Sequence, residues 1–327
     1  MKLLICYTPL HVVIAERLVK TGELDKFYLL YICFNKSDQH LFYFERLAQN
    51  AEGADFLCLP HDWRDPIMLA GWRVRHLNLQ PDYLVCGNIK HAHSRILAAL
   101  FGIKKYKTFD DGSGNIVKHG YFSEITERRG VQFFFSALAP EYLYRNVVKR
   151  IEVHFSIYRD ANVYSRFFIP VKRVRLFNDD DLFVNEGFGR VTVYLGHALV
   201  ETGLTTPQHA EELDREISNK YEIDYFLPHP RSRNRSYYTP LLERAPRTAL
   251  AAEEFAIELL RQYESVRVIG LNSSALLNLA FSNRIEVVNI KTDSAFDFDE
   301  LMDTMKARPV GDVEASGLIP IHEKNNV

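Results

Sequence analysis

Five short stretches place side chains that can move protons or hold charge where an apolar run stops. The first is Tyr225-Phe226-Leu227-Pro228-His229-Pro230-Arg231-Ser232, which ends a mostly apolar run starting at Ile223. Each proline fixes its own φ and biases the preceding residue to extended geometry, so His229 is held between Pro228 and Pro230. That puts an imidazole and the Arg231 guanidinium at the carboxyl end of a strand, where open α/β sheets bind ligands. The second stretch is Asp110-Asp111-Gly112-Ser113-Gly114-Asn115, with two adjacent carboxylates. One of them can serve as a base or orient a hydroxyl; the plainer reading is a turn. Asn272-Ser273-Ser274 precedes an apolar helical run. It reads either as an anion site at a helix N-terminus or as an ordinary cap. Gly196-His197-Ala198-Leu199-Val200-Glu201 follows another apolar run. Gly196 would admit a ligand close to the backbone, and burial would raise the Glu201 pKa toward general-base range. The fifth stretch is Thr8-Pro9-Leu10-His11, where a Thr N-cap and a Pro at the first helical position mark a strand handing over to a helix.

Other chemistries find less support. His91 and His93 lack cysteine or carboxylate partners at ligand spacing, so no metal site is expected. Neither a phosphate-binding Gly-x-x-x-x-Gly-Lys-Ser/Thr loop nor a Gly-x-Gly-x-x-Gly fingerprint occurs, which removes the kinase and dehydrogenase readings.

The elements that must carry these residues alternate. Apolar β-type runs at 2–7, 27–34, 56–59, 83–86 and 106–109 are separated by helical runs at 9–19, 37–49, 66–76 and 93–101. That rhythm predicts parallel βαβ units. It lapses over 116–170, an aromatic-rich stretch expected to form helices and a connector. A linker is expected in the acidic 177–189 run. Strands then recur at 191–195, 223–227, 266–270 and 285–290, with helices at 207–220, 250–263, 274–281 and 297–305. The expectation is an α/β protein of GT-B type: two doubly wound domains, 1–185 and 186–327, facing a central cleft.

Composition agrees with a two-domain globular chain: 327 residues, 47% hydrophobic, 25% charged. The formal net charge of −2 gives no basic field for nucleic acid. Two local basic runs, 171–175 and 231–235, suit a solvated face, a phosphate site or an anionic membrane surface. Cys6, Cys33, Cys58 and Cys86 all sit in strand-like runs and read as buried thiols in a reducing compartment. No apolar run reaches the ~20 residues of a membrane span, and no signal peptide is recognisable. The expected location is cytoplasmic, with peripheral contact at the inner membrane left open. So is a homodimer through the apolar 131–158 stretch.

Taken together, these motifs resemble bacterial lipooligosaccharide sialyltransferases of glycosyltransferase family 52. The resemblance rests on the opening Leu-Ile-Cys-Tyr-Thr-Pro-Leu-His with Ala15-Glu16-Arg17, on 107–115, on Pro228-His229-Pro230-Arg231 and on Ser273-Ser274. It implies inverting transfer of sialic acid from CMP-sialic acid to a terminal sugar, often galactose, with no cofactor and no essential metal. On this resemblance His229 is general acid or phosphate stabiliser. Ser273 and Ser274, with Gly196, Pro230, Arg231 and Asn272, meet the donor. Glu201 is the candidate base and Asp111 the alternative. Thr8, Pro9, His11, Asp110, Gly112 and Asn115 line the acceptor side. Within the same family a different nucleotide sugar such as UDP-glucose stays open, and so does a non-catalytic nucleotide-sugar-binding protein.

Overall fold

The computed structural model describes residues 1–87, 89–116, 135, 137, 139–158, 169–177, 187–230, 232, 236–280 and 282–290. The chain divides into two compact units, Met1–Leu176 and Phe177–Val327.

The first unit is built on a seven-stranded sheet in the order β3-β2-β1-β4-β5-β6-β7, with every pairing parallel. Its strands are β1 (Lys2–Cys6), β2 (Phe27–Cys33), β3 (Gly53–Cys58), β4 (Tyr83–Cys86), β5 (Lys105–Phe109), β6 (Ile151–Ser156) and β7 (Val171–Arg173). Between the first five lie α1 (Pro9–Lys20), α2 (Asp38–Ala48), α3 (Asp65–Arg75) and α4 (Ala92–Phe101). Leu3, Leu4, Ile5, Leu29, Leu30 and Leu84 are fully buried, as central parallel strands covered by helices on both faces require. Thr8 caps α1 by accepting from the His11 backbone N–H at 3.3 Å, and Ser37 caps α2 in the same way through His40. The chain leaves β1 to one side through β2 and β3, then returns past it to β4. The turning point therefore lies between β1 and β4, where an open α/β sheet leaves a crevice at its carboxyl edge.

The aromatic stretch departs from expectation. Its described part contains a short helix, α5 (Tyr144–Val148), and then β6 and β7, which extend the sheet. The strand Ile-Glu-Val-His-Phe-Ser was hard to read because it buries His154 and Ser156, polar residues satisfied inside the fold. β7 takes up most of the basic 171–175 run. It is an exposed edge strand, and its Lys172 pairs with Glu23. Lysine on a sheet edge discourages pairing with another chain. Phe135, Tyr142, Tyr144, Phe155 and Tyr158 are all buried in this unit, so these described aromatics of the stretch do not form an exposed face. Cys6, Cys33 and Cys86 are buried thiols as expected, whereas Cys58, at the end of β3, is exposed.

The second unit has a four-stranded parallel sheet in the order β11-β10-β8-β9. Its strands are β8 (Arg190–Leu195), β9 (Tyr225–Leu227), β10 (Ser265–Gly270) and β11 (Ile285–Asn289). The helices are α6 (Pro207–Lys220), α7 (Thr239–Leu242), α8 (Ala252–Leu259) and α9 (Ser274–Leu279). Here the winding reverses between β8 and β10. β9 begins two residues later than the apolar run. Asp224 precedes it and binds Thr192 twice, through its backbone N–H and through its carboxylate, which accepts from the Thr192 N–H. The helix expected at 297–305 lies outside the described residues. Among the described residues no helix is long and apolar enough to cross a membrane. Each unit is thus a doubly wound α/β fold of the kind paired in GT-B proteins.

Candidate functional site

At the carboxyl edge of the first sheet, the crevice between β1 and β4 holds a buried imidazole on a carboxylate. His11 is fully buried, on the first turns of α1. Its Nδ1 accepts from the Tyr7 backbone N–H at 3.2 Å. In a neutral ring this leaves the proton on Nε2, which donates to Asp111 Oδ1 at 2.8 Å. The ring also meets Phe109 edge-on, with centroids 5.2 Å apart. On its other side lies Gly87, immediately after β4. A Cβ there would sit 2.5 Å from His11 Nε2, so a side chain at 87 and this imidazole cannot share the space. Thr8 and Pro9 start the helix that aims His11. Gly112 follows Asp111 with φ +63, a left-handed conformation that glycine adopts without strain. Asn115 closes the short 3₁₀ turn that begins at Gly112.

Asp110 has a different task from the one expected. It is fully buried, with Oδ1 2.9 Å from His154 Nε2, and Oδ2 accepts from the Ile157 backbone N–H at 2.7 Å. It clasps β5 to β6 and does not line the acceptor side. The paired carboxylates therefore part company: Asp110 faces the interior, while Asp111 keeps partial exposure at the edge.

Further along the same edge, Tyr7 donates to or accepts from Ser94 Oγ at 2.8 Å, and burial raises its phenol pKa. The Tyr7 ring stacks on His91 at 5.0 Å. Burial, opposed by the nearby Asp111 charge, lowers the His91 pKa to about 4. His93 lies 2.9 Å from Asp65 through Nε2; sequence spacing hid this pair, since Asp65 begins a different helix.

In the second unit three strand ends converge on the reversal point. β8 ends in Gly196, whose N–H donates to the Leu227 carbonyl at 2.8 Å. A Cβ on Gly196 would meet the His229 backbone N at 3.0 Å, so the glycine lets the His-Pro turn lie against it. That turn is closed by the Ser232 N–H donating to the His229 carbonyl at 2.9 Å, across Pro230. Arg231, expected to hold the donor, lies outside the described residues. β10 ends in Asn272, which adopts φ +45. Asn289 at the end of β11 holds it there: its Oδ1 accepts from the Asn272 N–H at 2.8 Å, and its Nδ2 donates to Asn272 Oδ1 at 3.1 Å. Asn272 thus shapes the turn that presents Ser273 and Ser274. Ser273 stands at the N-cap of α9 but makes no side-chain capping bond.

Glu201 sits in the loop after β8, and its Oε1 accepts from Tyr237 OH at 3.1 Å. Burial, reinforced by this carboxylate, pushes the Tyr237 phenol up to about 12. The sequence reading overlooked His197, directly after Gly196. It is buried, with Nε2 3.2 Å from Asp214 Oδ1, and Asp214 also accepts from Tyr194 OH at 2.7 Å. Its signal was available, since it is a histidine at a strand end just as His229 is. Tyr237 carried no such signal. Among the described residues no three His, Cys, Asp or Glu side chains are grouped to hold a metal.

The profile of glycosyltransferase family 52 matches residues 25–294. The chain is 26% identical over 322 residues to a CMP-N-acetylneuraminate:beta-galactoside alpha-2,3-sialyltransferase of Pasteurella multocida, covering 92% of this chain and 97% of that one. It is 21% identical over 304 residues to an N-acetyllactosaminide alpha-2,3-sialyltransferase of Haemophilus influenzae, covering 89% and 92%. A solved structure of a putative UDP-N-acetylglucosamine 2-epimerase from Listeria monocytogenes is similar at a TM-score of 0.48 and 15% identity, over 89% of this chain and 78% of that one. With most of its length matched by that one profile, the chain belongs to glycosyltransferase family 52.

Proposed function

We propose that this family member is an inverting sialyltransferase. It moves sialic acid from CMP-sialic acid to a terminal galactose, as at the end of a lipooligosaccharide or capsular glycan, without a divalent metal. The observation that carries the reading is the His11–Asp111 pair at the first sheet's reversal point. A carboxylate there is held by a buried imidazole whose own tautomer is fixed by the Tyr7 N–H. This suits a general base, with a second group on a helix orienting it. The names of the two relatives support the donor and acceptor classes.

In the reaction as proposed, Asp111 takes the proton of the acceptor hydroxyl as its oxygen attacks C2 of the sialic acid. The C2–O bond to the phosphate breaks, and its electron pair leaves with CMP. Attack from the face opposite the leaving group inverts the centre. His229 donates to the departing phosphate oxygen, and the Ser273 and Ser274 hydroxyls add hydrogen bonds. Such donors stabilise the leaving charge without a metal ion. Asp111 is preferred to Glu201 because a fully buried imidazole orients it, whereas the group on Glu201 is the half-buried Tyr237 hydroxyl.

The test is CMP release from CMP-N-acetylneuraminic acid, with and without lactose, in EDTA. Release stimulated by lactose, with sialyllactose formed, is the expected result. Turnover only with UDP-sugars, or no turnover at all, would refute the assignment. Asp111→Asn should lower kcat roughly 10²–10⁴-fold, while Glu201→Gln costs far less. The reverse order would move the base to Glu201.

A further inference from the structure

Two cysteines end adjacent strands of the first sheet side by side. Cys33 is the last residue of β2 and Cys58 the last of β3, and the parallel register makes them direct partners. The Leu59 N–H donates to the Cys33 carbonyl at 2.8 Å, which holds the two strand ends together just past the pair. Side chains alternate along each strand, so partners in register project to the same face of the sheet. Two residues earlier, that face shows how closely such partners lie. Tyr31 is paired with Phe56, and their rings stack at 5.5 Å with 9° between their planes. Cys33 and Cys58 repeat the juxtaposition with thiols, and the Cys33 S–H donates to the Cys58 sulfur.

Backbone spacing suits a bond between them. Neighbouring strands lie about 4.8 Å apart, inside the roughly 4.4–6.8 Å that a disulfide spans between Cα atoms. β3 is the edge strand of the seven, so closing the sulfurs onto each other moves the outermost strand end and not a central one.

The two thiols differ in access. Cys58 is exposed, whereas Cys33 is only 1% exposed. A dissolved disulfide therefore meets Cys58 first. Burial, the hydrogen bond to Cys58 and the charge on Cys58 push the Cys33 thiol up to about 12; the Lys36 charge and the Asn35 backbone act the other way. Capping Cys58 as a mixed disulfide removes its charge and weakens that hydrogen bond, which are two of the three causes holding the proton on Cys33. Lys36 and Asn35 then favour its release at the moment Cys33 is needed as the second nucleophile.

We propose that Cys33 and Cys58 form a dithiol site that a low-molecular-weight disulfide, of the glutathione disulfide class, oxidises reversibly to an intramolecular disulfide. In the first step the Cys58 thiolate attacks one sulfur of the small disulfide. A mixed S–S bond forms, the original S–S bond breaks, and its electron pair leaves with the first small thiolate. In the second step Cys33 gives its proton to water and attacks the Cys58 sulfur, and the mixed bond breaks with release of the second small thiolate. The two protein thiols are oxidised and the small disulfide is reduced to two thiols, so the exchange needs no other oxidant. Cys6 and Cys86 are fully buried and stay outside it. The site is independent of the proposed sialyl transfer, which uses neither cysteine.

The test mixes the folded full-length chain, reduced and then freed of reductant, with one equivalent of dithiobis(nitrobenzoic acid), an aromatic disulfide whose thiolate is coloured. Wild type should release two thiolates per chain without denaturant and retain no adduct, its intact mass falling by two hydrogen atoms. A tryptic digest without reductant should join peptides 27–36 and 47–64. Cys33→Ala should release one thiolate and keep the adduct, and Cys58→Ala should release none in the time that wild type takes to finish. Glutathione disulfide should give wild type the same mass loss in place of a glutathionyl adduct, and dithiothreitol should reverse it. Release of one thiolate or none from wild type, a covalent dimer on a non-reducing denaturing gel, or a different pair of joined peptides overturns the proposal. Should Cys33→Ala fail to fold, the joined peptides of wild type decide the matter alone.

Discussion

Gly87→Ala changes no chemical group of the proposed reaction, yet it should behave like a loss of His11. The added methyl would stand 2.5 Å from His11 Nε2, 2.6 Å from Cε1 and 3.0 Å from Cδ2. The imidazole has no room to give, because it is fully buried, with Phe109 edge-on to it and the Tyr7 N–H on Nδ1. The ring must turn, and turning it breaks the Nε2 bond to Asp111. A hydrogen bond to a charged group is worth about 1.5–3 kcal/mol, which is roughly 10- to 150-fold in kcat/KM. That is less than the loss expected from removing the carboxylate, since Asp111 remains as a misdirected base. Overpacking also lowers stability by about 1–3 kcal/mol, so the assay should run well below the melting temperature. The readout is lactose-dependent CMP release, measured for Gly87→Ala, His11→Ala and the double variant. If the methyl acts through the imidazole, the double variant costs no more than His11→Ala alone, because there is no ring left to displace. Losses that multiply in the double variant, or wild-type kinetics in Gly87→Ala, would refute the coupling.

Three further outcomes follow from the same geometry. His229→Ala should keep its fold by circular dichroism and lose about 10²–10⁴-fold in kcat; wild-type turnover would remove His229 from the reaction. Gly196→Ala should be milder than Gly87→Ala, because its methyl would meet the His229 backbone N and Phe226 Cζ at 3.0 Å and the Leu227 carbonyl at 3.2 Å, contacts that are tight but not prohibitive. A several-fold rise in KM for the CMP donor with little change in KM for lactose is expected, and a larger effect on lactose would contradict it. His91 gives a pH dependence of known sign: its pKa is about 4 in the folded chain against about 6.5 unfolded, so between these values the unfolded chain binds more protons. Stability present above pH 6.5 is therefore lost as pH falls toward 4, and urea melts at pH 7 and pH 5 should show wild type losing on the order of 2 kcal/mol more than His91→Gln. Equal losses in the two proteins would show that His91 does not drive the change.

The strand-end stretches were legible because each pairs a reactive group with residues that enforce local geometry. Pro228 and Pro230 announce the His229 turn, and Thr8 with Pro9 announces α1; both kinds of signal are local in sequence. The division of labour between Asp110 and Asp111 was not legible. It depends on His154, which β6 brings to Asp110 from 44 residues away, and on His11, 100 residues from Asp111. Those partners lie on strands and helices whose adjacency is set by sheet order. β6 itself went unread for the same reason: a buried histidine that bonds to Asp110 and Thr108 looks polar in sequence and behaves as interior in the fold. The aromatic residues near it were compatible in sequence with a dimer face or with a core, and the described ones are buried.

The two sheets share a device that neither stretch shows alone. In each, a glycine directly after a central strand makes room for a histidine-bearing segment beside it. Gly87 after β4 admits the His11 ring, and Gly196 after β8 admits the backbone of His229. A central parallel strand ends where its neighbours also end, so any side chain at that point projects into the crevice a ligand would enter. Glycine there does two things at once: it adds no side chain to the crevice, and it lets the adjoining histidine segment lie close, by its ring at Gly87 and by its backbone at Gly196. The glycines leave the space that the His11 ring and the His229 backbone occupy. Substitutions at 87 and 196 should therefore perturb catalysis while every proposed proton-transfer group remains present. A reading confined to titratable side chains would give these two positions no weight.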